Sequence, residues 1–184
     1  RLDAPDCLYL GLATHYVEQA SHDELHERIL KAPSRLQGSL GSIAATPPEA
    51  KIEANLASIT RLFASDQLEE VLKSLEEDES DWAQAELATL RSKSPLSCKV
   101  SLRLLAEGAN RSSFEEEMRA EYALAGRIVR THDFREGVRA LLIDKDNSPQ
   151  WDPPTPEEVD DEMLDILFAP LPPSEQWNPF PESK

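Results

Sequence analysis

One stretch near the carboxy end decides how this chain folds: residues 131–151 have the sequence THDFREGVRALLIDKDNSPQW. It predicts a short helix beginning at Asp133, whose side chain can accept a hydrogen bond from the first turn while Glu136 reaches back. Ser148-Pro149 then ends the segment. Two carboxylates one helical turn apart could also share acid and base roles in a reaction. Helix capping explains this pair more simply, so we predict a structural role for both.

The residues before this stretch predict one helix after another. Apolar residues recur at spacings of three and four, which is typical of helices that bury one face. We therefore expect helices at residues 21–31, 52–63, 65–75, 83–93, 95–108 and 112–129, and a weaker one at 40–45. In the helix at 112–129, the predicted buried face consists of Phe114, Met118, Tyr122, Ala125 and Val129.

Start signals support several of these helices. Ser21 with Glu24, and Ser112 or Ser113 with Glu116, have the spacing of capping boxes. Ser94-Pro95 places a proline in the favoured first position of the next helix, which we expect to end at Gly108.

Beyond residue 151 the chain changes in character. Thr155-Pro156-Glu157-Glu158 predicts the start of a last helix, with an inner face of Val159, Met163, Ile166 and Leu167. Residues 152–184 hold eight of the 14 prolines, and no periodicity continues after Pro170. We therefore predict that residues 169–184 form a flexible tail, with Trp177 and Phe180 resting on a surface.

The first residues of the chain show no recognisable start of a helix. A helix end is predicted to run into Gly11, and residues 13–17 (ATHYV) alternate as in a short strand. A single strand leaves its backbone groups unpaired, so we expect its partners upstream of Arg1. Because no cap precedes the first apolar residues and the chain begins with Arg, we expect a segment of a longer protein.

Composition excludes some partners. The 184 residues suit one domain, and the formal net charge is −16. Residues 66–81 and 152–165 carry 14 of these negative charges in excess, as exposed acidic stretches. This charge argues against nucleic acid and against an anionic membrane surface as partners. No apolar run approaches the ~20 residues of a membrane span.

Reactive side chains outside residues 131–151 predict no active site. His22 and His26 have metal-ligand spacing beside Glu27, but no third ligand is indicated, so we predict no metal site. Cys7 and Cys98 are too few for a disulfide framework, which fits a reducing compartment, and we expect Cys98 to pack in an apolar helix. The chain contains no glycine-rich phosphate loop, nucleophile elbow or dinucleotide fingerprint.

Residues 131–146, followed by Ser148-Pro149 and Trp151, resemble the carboxy-terminal signature of 3-hydroxyisobutyryl-CoA hydrolases, a branch of the enoyl-CoA hydratase (crotonase) superfamily. Residues 11–17 resemble the short strand that ends the crotonase core. A third stretch resembles a helix of the family: Ser94-Pro95-Leu96-Ser97 with Lys99, Leu102, Glu107 and Gly108. The resemblance extends from about Leu8 to Phe168.

The resemblance implies a mainly α fold. The chain would be the helical carboxy-terminal region of a crotonase-type α/β spiral fold, with one short leftover strand near residues 13–17. Residues 1–20 would end the crotonase core, residues 21–168 would form a helical cap and assembly region, and residues 169–184 would be the flexible tail.

The resemblance also implies an activity for the parent protein: thioester hydrolysis of 3-hydroxyisobutyryl-CoA in valine breakdown, in the mitochondrial matrix. The family's oxyanion hole and catalytic carboxylates lie before the position that matches Arg1, so no catalytic residue is expected here and this segment alone should be inactive. Expected partners are the acyl-CoA substrate, the missing amino-terminal core and further copies in an oligomer. No cofactor is expected, because CoA is part of the substrate.

A CoA-phosphate contact is the one site role that the resemblance suggests. In the superfamily a lysine near the end of the matching helix holds a CoA phosphate, and Lys145 is the nearest match. Glu136 to Lys145 is one residue longer than the usual spacing, which turns a helical side chain by about 100°. Arg139 and Arg135 are therefore the second choices, with exposed salt bridges as their simpler role.

Two other functions remain open. The chain could belong to a hydrolase-like structural or interaction subunit without activity, such as a mitochondrial ribosome component. It could also be a free-standing helical bundle, although the strand at residues 13–17 would then have no role.

Overall fold

The computed structural model describes residues 2–177, and helices dominate this part of the chain. Ten α-helices are found there, named α1 to α10 in chain order: Ala4–Tyr9, His22–Lys31, Leu36–Ile43, Leu56–Leu62, Leu68–Glu76, Asp81–Arg91, Pro95–Gly108, Phe114–Ile128, His132–Val138 and Asp161–Phe168. Short 3-10 turns precede α2, α3, α4 and α10, and a π-helical turn, Arg139–Ile143, follows α9. The predicted mainly α fold is confirmed.

The predicted strand at residues 13–17 is wrong, because no strand occurs among residues 2–177. The segment is irregular, and its one backbone hydrogen bond to a distant residue joins the Ala45 N–H to the Tyr16 carbonyl at 2.9 Å. A strand needs a ladder of such bonds along a neighbour, and within residues 2–177 this single bond is not continued into one.

Residues up to Arg61 form one compact unit. Its α1 begins with a capping box between Asp3 and Asp6, so the prediction that no cap precedes the first apolar residues is wrong. Asp6 also accepts a hydrogen bond from the Ile52 N–H at 2.9 Å, and it is the only buried residue among residues 2–61. Gly11 ends this helix with a φ of 72°, a conformation that glycine adopts without strain, as predicted.

Residues from Leu62 onward form the second unit, and its first core lies around α5 and α6. Its buried residues are apolar and come from one face of α5, one face of α6 and the last residue of α4: Leu62, Val71, Leu75, Ala83 and Leu87. Leu75 and Ala83 are completely enclosed. The predicted apolar faces of these two helices are therefore confirmed.

The other core of this unit joins α7, α8 and α10 around six buried residues: Leu96, Val100, Leu124, Val159, Leu164 and Leu167. Lys99 links it to α5, because its ammonium group lies 2.6 Å from a Glu69 carboxylate oxygen and donates to the Val159 carbonyl at 3.0 Å. In α10, Met163 and Ile166 are exposed, contrary to prediction, because the helix begins at Asp161 after a separate 3-10 turn at Pro156–Glu158.

Within residues 2–177, none of the helices has the length and hydrophobicity required to cross a bilayer. The predicted division into residues 1–20, 21–168 and 169–184 stays a prediction. Phe180, which we expected on a surface, lies outside the described residues.

Candidate functional site

An apolar groove of about 910 Å³ opens in the second unit. Residues of α7, of α9 and of the π-helical turn supply most of its lining, and residues of α5 and α6 contribute further side chains. Apolar side chains dominate its lining, including Leu102, Val138 and Trp151, while Ser94, Ser97 and Ser101 add hydroxyl groups along α7. The groove therefore suits an apolar occupant with a few polar contacts along one wall.

Five exposed apolar side chains lie in the groove lining or directly after it in sequence: Leu105, Phe134, Leu141, Leu142 and Ile143. Ile143 alone lies outside the groove lining, at the end of the same turn. Leu142 keeps 68% of its surface exposed, although it follows the fully buried Ala140 by only two residues. Contiguous exposed apolar residues mark surfaces that bind other groups. We call these five residues the apolar rim.

A buried carboxylate in the groove lining, Asp133, joins distant segments of the chain. Asp133 accepts hydrogen bonds from the Ser94 hydroxyl and from the Asp152 N–H, the latter at 2.9 Å, and its Oδ1 lies 3.1 Å from the His132 ring nitrogen Nδ1. It thus ties the start of α7 and the loop after residue 148 to α9. The predicted capping role of Asp133 is wrong, because Thr131 caps α9 by accepting from the Phe134 N–H at 3.3 Å.

Glu136 belongs to a second polar cluster, centred on Arg139. The Arg139 guanidinium donates twice to Glu136 at 2.8 Å and also binds Asp144 at 2.7 Å and Asp146 at 2.6 Å. These carboxylates raise the pKa of Arg139. The guanidinium and the Gln150 N–H lower the pKa of Glu136 to about 2. The predicted return of Glu136 to the start of its helix is therefore wrong.

The three predicted CoA-binding residues lie close together in sequence but differ in their surroundings. Arg139 already holds three carboxylates, so a phosphate at this position would compete with them. Arg135 is exposed on α9, and its Nε donates to the Thr131 carbonyl at 3.4 Å. Lys145 is exposed after the π-helical turn, with a φ of 58°. Their role in CoA binding stays a prediction.

Three further reactive side chains, Cys98, His22 and His26, were predicted to have no catalytic or metal-binding role. Cys98 lines the groove, and burial raises the pKa of its thiol, which disfavours the reactive thiolate. His22 and His26 belong to α2, and no group of three or more metal-ligating side chains occurs within residues 2–177.

Sequence reasoning missed the contacts that join distant segments at this site. The Trp151 indole N–H donates to the Ser92 carbonyl at 3.1 Å, alongside the contact of Ser94 with Asp133. These bonds join residues 39 and 59 positions apart. The only signal was that Ser94 and Trp151 both fall in the stretches that carry the family resemblance.

Comparison with known proteins identifies the family. The sequence profile of the enoyl-CoA hydratase/isomerase family matches residues 1–168. The chain belongs to this family. The match ends at the last residue of α10 and includes both the groove and the Asp133 contacts. Residues 169–177, which follow α10 along the chain, lie outside it.

Curated relatives are similar over almost the whole chain. The mitochondrial 3-hydroxyisobutyryl-CoA hydrolases of Gallus gallus and Homo sapiens are 38% and 35% identical to it over 180 residues. The alignments cover 93% of this chain and 46% of each relative. The chain thus spans about half the length of the curated relatives it matches.

Solved structures of the family share the fold. A carnitinyl-CoA dehydratase from Mycobacterium thermoresistibile matches with a TM-score of 0.83 and 25% identity, over 94% of this chain and 49% of that one. An enoyl-CoA hydratase from Rhodobacter sphaeroides 2.4.1 matches with a TM-score of 0.75 and 32% identity, over 90% and 47%. Helices α1 to α10 are therefore the helical carboxy-terminal portion of a crotonase-type fold.

Proposed function

We propose that this chain is the carboxy-terminal part of a 3-hydroxyisobutyryl-CoA hydrolase, and that it covers an active site whose catalytic groups lie outside it. The observation that carries this proposal is the 38% identity to a hydrolase of that name over 93% of the chain. In its chemistry, the parent protein would cleave the thioester with water and release CoA and a hydroxy acid.

The apolar groove and its rim support a covering role. Leu141, Leu142 and Ile143 follow one another on the π-helical turn and remain exposed. Covering such side chains stabilises a complex by about 25 cal/mol for each Å² of apolar surface removed from water. We infer that the amino-terminal core of the parent protein covers this rim, and that the groove then limits the access of bulk water to the acyl group.

The same cover would bring basic residues toward the CoA moiety. Lys145 and Arg135 are exposed, so either can reach a phosphate without giving up a carboxylate partner of the Arg139 cluster. We infer that Lys145 makes the phosphate contact, with Arg135 as the second choice. Arg139 would instead hold the loop of Asp144 and Asp146 in place.

The relatives also suggest a location, a pathway and partners for the parent protein. Their names place them in the mitochondrion, and we propose the mitochondrial matrix and valine breakdown for the parent of this chain. Its partners would be the acyl-CoA substrate and further copies of itself, without an additional cofactor.

The direct test is release of thiol from 3-hydroxyisobutyryl-CoA. The assay compares this chain alone, the intact Gallus gallus hydrolase, and a chimera in which this chain replaces the matching half of that hydrolase. We expect activity in the intact hydrolase and in the chimera and none in the chain alone. Activity of the chain alone would contradict the proposal. A folded but inactive chimera would favour a structural or interaction subunit without activity.

A matched pair of variants tests the covering role in the chimera. Leu142→Ser changes an exposed residue of the apolar rim, whereas Ile166→Ser changes a similarly exposed residue of α10, outside the rim. We expect the first variant to lower kcat/KM and the second to have a smaller effect. Equal effects of the two variants on kcat/KM would contradict a specific role of the rim.

A further inference from the structure

The helix α8 has two apolar faces, and only one of them is buried within the described residues. Ala123 and Leu124 are buried, the latter in the core with α7 and α10. The face predicted to be buried is instead open: Phe114 is 77% exposed and Tyr122 is 50% exposed. That prediction is wrong because a helix with two apolar stripes gives no signal of which one faces the core.

The segment after α10, residues 169–177, returns to this open face. The Trp177 and Tyr122 rings are stacked, with centroids 6.3 Å apart and planes 23° from parallel. Aromatic pairs in such an arrangement contribute beyond the area they bury. The contact spans 55 residues of sequence, so it fixes the end of the segment against α8 rather than reflecting local chain geometry.

Two arginines of α8 bind the backbone of the same segment. The Arg127 guanidinium donates to the Leu167 carbonyl at 3.1 Å and to the Pro170 carbonyl at 3.3 Å. The Arg119 Nε donates to the Trp177 carbonyl at 3.4 Å. The segment is thus held at both ends, and Arg127 also satisfies a carbonyl in the last turn of α10.

The composition of the segment explains why it needs these donors. Pro170, Pro172 and Pro173 have no backbone N–H, so the segment cannot form a strand ladder or continue α10. Several of its carbonyls accept hydrogen bonds from side chains, as Leu171 does from the Gln176 amide at 3.1 Å, while the Pro172 carbonyl accepts from the Glu175 N–H at 2.8 Å. Aromatic rings and side-chain donors also bind proline-rich segments in other complexes, and here the segment includes a turn at residues 173–175.

We propose that the open face of α8 is a binding surface for a proline-rich segment that contains a tryptophan, and that residues 169–177 occupy it as a strap from the same chain. The strap holds the carboxy end of α10 on α8 and stacks on Tyr122, which keeps 50% of its surface exposed. It lies outside the region matched by the family profile.

Fluorine NMR of the chain labelled with 5-fluorotryptophan tests this proposal. The chain has three tryptophans, and Trp177→Phe identifies the signal of Trp177 by removing it. We expect this signal to differ in the unmodified chain from that of a free peptide of residues 169–177. In the double variant Arg119→Ala/Arg127→Ala, it should move to the free-peptide position.

Controls separate release of the strap from loss of the fold. The signals of Trp82 and Trp151 report the first core of the second unit and the groove, and they should stay in place in the double variant. Arg130→Ala removes an exposed arginine just after α8 and should leave all three signals unchanged. If the double variant unfolds, Tyr122→Ala removes the stacking ring alone and should release Trp177 in the same way.

Two results would overturn the proposal. One is a Trp177 signal that already lies at the free-peptide position in the unmodified chain. The other is a signal that stays fixed when the arginines, or Tyr122, are replaced in a folded chain.

Discussion

The residues up to Arg61 and those from Leu62 onward are both helical, but they differ in what they bury. Among residues 2–61 the only buried side chain is the carboxylate of Asp6. The later residues contain two apolar cores, one around α5 and α6 and the other joining α7, α8 and α10. Similar secondary structure therefore rests on different sources of stability in the two units.

The contrast shows how far each unit relies on other surfaces to bury its apolar helix faces. Isolated helices shorter than about 12–15 residues are marginal in water, and most helical stability in proteins comes from packing an apolar face. α2 is amphipathic, yet Leu30 on this helix is 68% exposed. The first unit therefore has helices suited to packing against another surface, whereas the second unit buries many of its apolar side chains in its own two cores.

The largest difference in stability is expected when one leucine is replaced in each unit. Leu75→Ala should lower the free energy of unfolding by about 2–5 kcal/mol, because it leaves a cavity in a fully enclosed core. Leu30→Ala should change it by only about 0.5 kcal/mol. Urea unfolding followed by circular dichroism measures both. A large effect of Leu30→Ala would show that the first unit has a core after all.

The polar contacts of the second unit are tested by Asp133→Ala. This variant leaves the Ser94 hydroxyl and the Asp152 N–H without their buried acceptor, and it should lower the free energy of unfolding by about 1–3 kcal/mol. Glu121→Ala, an exposed acid on α8, is the control and should change little. An equal, small effect of both variants would mean that the Asp133 bonds contribute nothing net.

Two serines with similar sequence signals sharpen the comparison of helix starts. Ser113 accepts a hydrogen bond from the Glu116 N–H at 3.1 Å, whereas Ser21 makes no side-chain cap to α2. Ser113→Ala should lower the free energy of unfolding by ~1 kcal/mol, within the range of lost caps. Ser21→Ala should lower it by less. Equal losses of unfolding free energy, measured by urea unfolding, would mean that Ser21 caps α2 as predicted.

The smallest expected effect is on the dependence of stability on pH at acid pH. The pKa of Glu136 falls from an ordinary 4.5 to about 2, first because of Arg139 and then because of the Gln150 N–H. A lowered folded-state pKa means that this carboxylate stabilises the fold above pH 4.5 and that the contribution disappears as the pH falls toward 2. In Glu136→Gln, stability should depend less on pH in this window, as measured by urea unfolding at several pH values. Glu121→Gln is the control, and an unchanged pH dependence in Glu136→Gln would contradict the role of Arg139.

Sequence patterns predicted the helices well where one apolar face meets a local core. The faces of α5, α6 and α7 are as expected because helical spacing alone determines which residues share a side. The start of α7 at Ser94-Pro95 was also predicted, since Ser94 accepts from the Ser97 N–H at 2.9 Å. For these elements, local chemistry is sufficient.

The remaining predictions failed where distant residues decide the outcome. Asp133 has the spacing of a helix cap, but Ser94 and Asp152 take its carboxylate into the interior. The open face of α8 has the periodicity of a buried one, and only the packing of α10 shows which face is inside. The groove itself could not be predicted, since it depends on how α7 and α9 approach each other.

Hydrogen exchange by mass spectrometry on this chain tests the central contrast most directly. We expect slow exchange throughout α5 to α8 and α10, because opening these helices exposes the cores, and fast exchange throughout α2 and α3, where no residue is buried. If α2 and α3 are protected as strongly as α5 to α8, the first unit has stability of its own and the contrast between the two units is contradicted.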